Sequence, residues 1–181
     1  TEEEINSLKT VLNVVYNTKE IENQKLYYKV LENTLENSNI KIEGYMPKNS
    51  EISIKMANFK EVEDKIKKAD DTLSLNVAYD IKILSSGQKY EPNEFDENVK
   101  ITVSGLIDKE NTVGLKVIHI DDEDKIEEIK SVSIEEENLL FNTESFSVFA
   151  IVSPSVTYSN VNELWNGGIA DSFALGNGEQ N

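Results

Sequence analysis

The chain contains no cysteine, no arginine, a single histidine and a single tryptophan. Without cysteine it can build no disulfide, no thiolate metal site and no cysteine nucleophile. Without arginine it lacks the planar fork that grips phosphate or carboxylate at two points, which weighs against phosphoryl transfer and nucleotide binding. The one histidine, His119, leaves no second ring for a histidine-based triad or a zinc site. Its place midway along the apolar run "TVGLKVIHI" reads as a satisfied core or edge residue. No apolar run approaches the ~20 residues that a membrane-spanning helix needs.

What the chain has in excess is acid. Thirty-four aspartates and glutamates face 18 lysines across 181 residues, a formal charge of −16. That sign argues against nucleic acid or an anionic membrane surface as partner, since both attract the opposite charge. Basic positions spelled only as lysine, with abundant Asn, Ile and Glu, fit an AT-rich coding sequence. The length suits one full domain with a small attachment. An opening on Thr1 rather than methionine reads as a piece of a longer protein, with any signal peptide or anchor outside it.

Two hydrophobic periods divide the chain. In "EEEINSLKTVLNVVYN", Ile5, Leu8, Leu12 and Val15 recur at helical spacing behind an acidic first turn. "EIENQKLYYKVLENTLEN" places Leu26, Tyr27, Val30, Leu31 and Leu35 on one broad helical face, so residues 1–38 read as a helical hairpin. From Ile40 the period becomes two: "NIKIEGY" and "EISIKM" alternate as strands. "NFKEVEDKIKKA" returns to helical spacing as one short surface helix. "TLSLNVAYDIKIL" then puts Leu73, Leu75, Val77, Tyr79, Ile81 and Ile83 on a single strand face.

Further along, "NVKITVSG" alternates, and "TVGLKVIHI" is apolar on both faces, as a doubly covered strand would be. The apolar positions move from Ile126 and Ile129 to Val132 and Ile134, a change of parity that predicts a β-bulge between Glu127 and Val132. "FSVFAIV" reads as an inner closing strand, with Phe146, Val148, Ala150 and Val152 on one side and Phe149 and Ile151 on the other. About eight short strands with frequent turns predict an α+β chain: mainly an antiparallel β-sandwich over 39–153, with the N-terminal helical hairpin and one short helix. Residues 154–181, rich in Ser, Asn and Gly, read as a linker or the start of another repeat.

The motifs that could carry chemistry are few. The acidic turn Asp121–Asp124 lacks the spacing and glycine of an EF-hand, so hairpin polarity explains it without calcium. Carboxylate pairs for glycoside hydrolysis carry no motif, and the only tryptophan, Trp165, lies in the tail. Phe146-Ser147 resembles the scissile Phe-Ser bond of a class of self-cleaving domains. Ser145 stands where those have histidine, so the sequence does not carry their cleavage motif. Lys82 or Lys100 with Asn142 are residue types suited to an isopeptide cross-link, but both lysines fall on the outward parity.

Taken in order, "EGYMPKNSEISI", "LNVAYDIKILSSGQKYEP", "VKITVSG", "LKVIHIDDEDKIEEI" and "FNTESFSVFAIV" resemble a repeated β-module of large multidomain, adhesin-like cell-surface proteins of Gram-positive gut bacteria (Firmicutes), over Ile42 to Val152. "LWNGGIADSFALGNGEQN" similarly resembles the lead-in to a further extracellular repeat. The resemblance implies an extracellular protein, secreted or wall-attached, and a non-enzymatic binding or presentation module with no cofactor, no metal and no catalytic residues. Its expected partner is a host protein, immunoglobulin among them. An accessory domain of a secreted carbohydrate-active enzyme, binding glycan or acting as a spacer, is the alternative. Val14 and Tyr28, lying off the apolar stripes of the two expected helices, are the candidate partner-binding residues.

Overall fold

The computed structural model describes residues 18–21, 24–106 and 113–155. Its strands are β1 (Thr18–Ile21), β2 (Gln24–Leu35), β3 (Ser38–Pro47), β4 (Ser50–Met56), β5 (Leu73–Ser85), β6 (Gln88–Tyr90), β7 (Val99–Ser104), β8 (Lys116–Ile120), β9 (Ile126–Glu128), β10 (Ser133–Glu135), β11 (Asn138–Thr143) and β12 (Val148–Pro154), with one helix, α1 (Phe59–Ala69). Every pairing is antiparallel. One sheet, here A, runs β1-β2-β3-β7-β11-β10; the other, B, runs β4-β5-β12-β8-β9 with β6 beside β5. The expected antiparallel sandwich is therefore present, with twelve strands among the described residues where the turns suggested about eight.

The core between the sheets comes from alternation. Ile40, Ile42 and Met46 of β3, Val99, Ile101 and Val103 of β7, and Leu139 and Phe141 of β11 meet Tyr79, Ile81 and Ile83 of β5, Val117 of β8, and Phe149 and Ile151 of β12. A second apolar layer covers the other face of sheet B, where Val62 and Ile66 of α1 lie on Leu73, Leu75, Ala78, Ile118, Ile120, Ala150 and Val152. The helix forms where the sequence predicts it. Asn58 caps it by accepting the Glu61 N–H at 3.2 Å, and its exposed side carries Lys60–Asp64, Glu61–Lys65 and Glu63–Lys67 pairs one turn apart.

Several expectations are corrected. The second helix of the N-terminal hairpin is instead the long strand β2, which pairs with β3 from Leu26↔Pro47 to Leu35↔Ser38. Leu31 and Leu35 misled because a spacing of four satisfies both a helical turn and a strand face. In the strand they lean on the inter-sheet core while Tyr27, Tyr28, Val30 and Thr34 supply the β-favouring residues. The first helix of that hairpin, with Val14, lies outside the described residues, as does the chain beyond Ser155.

β5 does not keep one apolar face. Its register to β12 shifts between Ile151↔Val77 and Val152↔Leu75, leaving Asn76 as a bulge. Leu73 and Leu75 consequently face α1, whereas Tyr79, Ile81 and Ile83 face the other sheet. The parity change after Ile129 is not a bulge either. The chain leaves sheet B at Glu128 and enters sheet A at Ser133. β12 is the inner, doubly covered strand expected, between β5 and β8, but Phe146, just before it, joins Phe149 in the inter-sheet core rather than siding with Val148.

Candidate functional site

The solvent face of sheet A is laid out in cross-strand rows. Tyr28 of β2 stands opposite Tyr45 of β3. Their rings meet edge to face, with centroids 5.6 Å apart and planes at 81°, a favoured aromatic geometry. Val30, Glu43, Lys100 and Asn142 form the next row. Tyr28 is 47% exposed and Val30 52% exposed, so two large apolar surfaces stand side by side in water.

The charges beside them neutralise one another. Glu43 lies 3.4 Å from the Lys41 ammonium and 3.1 Å from that of Lys100. Burial alone would push its carboxyl up, but the two lysines outweigh that and hold it below the ordinary range. Asn39 donates its amide diagonally across the β2–β3 ladder to Glu32. The result is a flat, locally neutral face with an apolar edge on a strongly acidic protein.

Of the candidate partner-binding residues, Tyr28 is thus exposed on a strand rather than a helix. Tyr45 and Val30 were not singled out. Tyr45 was legible from the same alternation that sends Lys41 and Glu43 outward. Val30 was assigned to the buried stripe of a helix that does not form.

The other candidates are tied into the fold. In the turn after β8, Asp121 accepts the Glu123 and Lys125 N–H groups, Asp122 binds Lys89 at 2.9 Å, and Asp124 reaches Lys65 of α1 at 2.7 Å. These carboxylates close a turn and anchor a helix. Among the described residues no group of three or more His, Asp or Glu side chains is placed to hold a metal ion. The Ser147 hydroxyl donates to the Ile120 carbonyl at 2.7 Å, and the Phe146 N–H donates to Glu91 at 2.9 Å. Lys100 does stand opposite Asn142, yet its ammonium is paired with Glu43, and Lys82 lies in the other sheet, beside Asp80 at 3.6 Å.

His119 is a core residue but not a satisfied one. It is 8% exposed, stacks on Phe149 with centroids 4.8 Å apart, and its Nε2 is enclosed without a hydrogen-bond partner. Burial holds the imidazole below the ordinary histidine value of 6.5, against the opposite pull of Asp121, Glu91 and Glu127. Between 6.5 and the lower folded value, the unfolded chain takes up a proton that the folded chain refuses, so falling pH removes stability across that window.

The carboxylates held low by lysines, Asp122 by Lys89 and Glu128 by Lys130, act only in a more acidic window, near and below their ordinary values of 3.8 and 4.5. Urea midpoints measured at about pH 7.5 and about pH 5.5, on either side of the ordinary histidine range, should therefore drop in the native protein and drop less in His119→Phe, which keeps the stacked ring. An equal drop in both would show that His119 is not the group responsible.

No family model matches the chain, and neither a curated protein nor a solved structure does so.

Proposed function

We propose that this chain is a non-enzymatic binding module of an extracellular bacterial protein, secreted or attached to the cell wall, and that it captures a host protein on the solvent face of sheet A. The observation that carries the reading is the exposed Tyr28, its ring set edge to face on the half-buried Tyr45, with the exposed Val30 beside it. Tyrosine and neighbouring apolar surface dominate protein interfaces because they bury much area at little entropic cost. The neutralised charges around Glu43 let a protein surface approach without the repulsion or attraction a net charge would bring. The bacterial surface setting, and immunoglobulin as the first partner to test, rest on the resemblance of Ile42 to Val152 to adhesin repeats.

The test is retention of protein from serum or secretory fluid on the immobilised chain. Tyr28→Ala with Val30→Asp should abolish retention while leaving the melting temperature within a few degrees of the native value, because both side chains are about half exposed. Retention that survives the double substitution would move the interface elsewhere. A collapse of folding would show that the two residues support the sheet instead.

A further inference from the structure

Both sheets end in short strands except at one place. Sheet A stops at β1 and β10, of four and three residues, and sheet B stops on one side at β9, of three. The other end of sheet B is β4, seven residues paired to β5 without a break from Ser50↔Ser85 to Met56↔Tyr79. Short, bulged or proline-bearing edges keep a sheet from adding a further strand. β4 is longer and has neither bulge nor proline. It belongs to the sheet that does not carry Tyr28, so the inference below does not rest on the protein-capturing reading.

The backbone phase of this edge is fixed. Just past the last pair of the ladder, the Ala57 N–H donates to the Ala78 carbonyl at 3.0 Å. Successive residues of an antiparallel ladder turn their backbone groups to opposite sides. Glu51, Ser53 and Lys55 therefore bond towards β5, while Ile52 and Ile54 present their N–H and C=O groups outward. No described residue hydrogen-bonds to those outward groups.

The side chains make the edge complementary to itself. Residues 51–55 read Glu-Ile-Ser-Ile-Lys. Laid antiparallel to its own copy about a two-fold axis through Ser53, the segment sets Glu51 against Lys55 of the second copy, and Ile52 against Ile54, on each side of the axis. The isoleucines are the residues with outward backbone groups, so the register that pairs the charges also closes the ladder. A slip of one residue would turn the apolar face of one copy onto the charged face of the other, and a slip of two would part Glu51 from Lys55.

The charges are free to take part. Glu51 is exposed and has no ion pair among the described residues, and Lys55, 70% exposed, has Asp80 alone, at 3.4 Å. Met56, 39% exposed at the end of the strand, falls opposite Ser50 of the second copy and gains cover there. The formal charge of −16 opposes self-association. At physiological ionic strength, however, that repulsion is screened beyond about 8 Å, whereas facing cross-strand residues lie only about 5 Å apart.

We propose that β4 pairs edge to edge with β4 of a second copy of this chain, antiparallel and centred on Ser53, so that sheet B runs on through a two-fold dimer. A seam of seven residues is smaller than the ~1,600 Å² of a standard stable interface, so the dimer is weak and forms as concentration rises.

Sedimentation equilibrium of the whole chain between about 10 µM and about 1 mM should show a mass rising from 20.4 kDa towards twice that value. Nuclear magnetic resonance spectra over the same range should shift the Ile52 and Ile54 amides. Glu51→Lys and Lys55→Glu, each alone, set like charges together on both sides of the axis and should weaken self-association at least tenfold. Native-like melting is expected of both, because the two side chains are exposed. An equimolar mixture of the two variants should dimerise again, since each then supplies the charge the other lacks. The inference is overturned if the chain stays monomeric to about 1 mM, if the single variants associate like the native chain, if two folded variants fail to pair on mixing, or if the shifts fall on Tyr28 and Val30. Only that last result would bear on the protein-capturing face.

Discussion

Phe149→Ala is expected to destabilise the fold by about 3–5 kcal/mol, the range for emptying a phenylalanine site in a packed core. Phe149 is 1% exposed on β12, the strand held between β5 and β8. Its ring is stacked on His119 of its own sheet at 4.8 Å and packs against Phe141 of the other sheet at 5.3 Å. The side chain is therefore one of the direct links between the two layers. Its loss removes apolar burial, two ring contacts and the support of an imidazole that already lacks a partner.

The neighbours cannot easily close the gap. Tyr79, across the ladder from Phe149, is itself fixed by a hydrogen bond from its hydroxyl to Ser38 at 2.8 Å. Urea unfolding should show a lower midpoint with an unchanged slope, the mark of lost stability in an otherwise intact native state. A cost below about 1 kcal/mol, the size expected of ordinary substitutions, would mean that the site repacks and that the sheets are held together elsewhere.

How far the sequence reaches can be seen in the strands themselves. β3 and β7 were readable because their neighbours on both sides keep register, and β12 because its ladder with β8 is unbroken, so the alternation in sequence is the alternation in space. β5 was not, because its apolar residues change faces at Asn76, and that bulge exists only in relation to the register of β12. β2 failed for a different reason: its leucines fit two periods, and a ladder of partners on β3 decided between them. The break between Glu127 and Val132 was visible as a change of parity, but a sequence does not tell a bulge from a strand that changes sheets.

The candidate sites divide the same way. Tyr28 could be picked out as an aromatic that fitted no buried stripe, and Tyr45 follows from the parity of "NIKIEGY". Val30 could not, because it fitted the apolar stripe of a helix and only the ladder with β3 puts it on the open face.

Gly105→Ala is expected to be the second severe substitution, and Gly87→Ala gives the measure of why. Both glycines have left-handed backbone, with φ of +86° and +79°, a region that costs an alanine about 1–2 kcal/mol on steric grounds alone. At Gly87, in the β5–β6 turn, an added Cβ meets nothing within 4 Å, so Gly87→Ala should show that dihedral cost and little more. At Gly105, where the chain leaves β7, the same atom would stand 2.3 Å from the Asn37 carbonyl oxygen in the β2–β3 turn. That oxygen belongs to backbone and cannot swing aside like a side-chain tip.

Relief therefore requires the β2–β3 turn or the end of β7 to move, against the Asn39↔Ser104 and Leu35↔Ser38 pairings on either side. The loss in Gly105→Ala should exceed that in Gly87→Ala by about 1–3 kcal/mol, the cost of maintaining local backbone strain. Equal losses in parallel urea titrations would mean that the β2–β3 turn yields freely. In that case the long strand β2 would be held in sheet A by its ladder and its leucines, with no contribution from close packing at the turn.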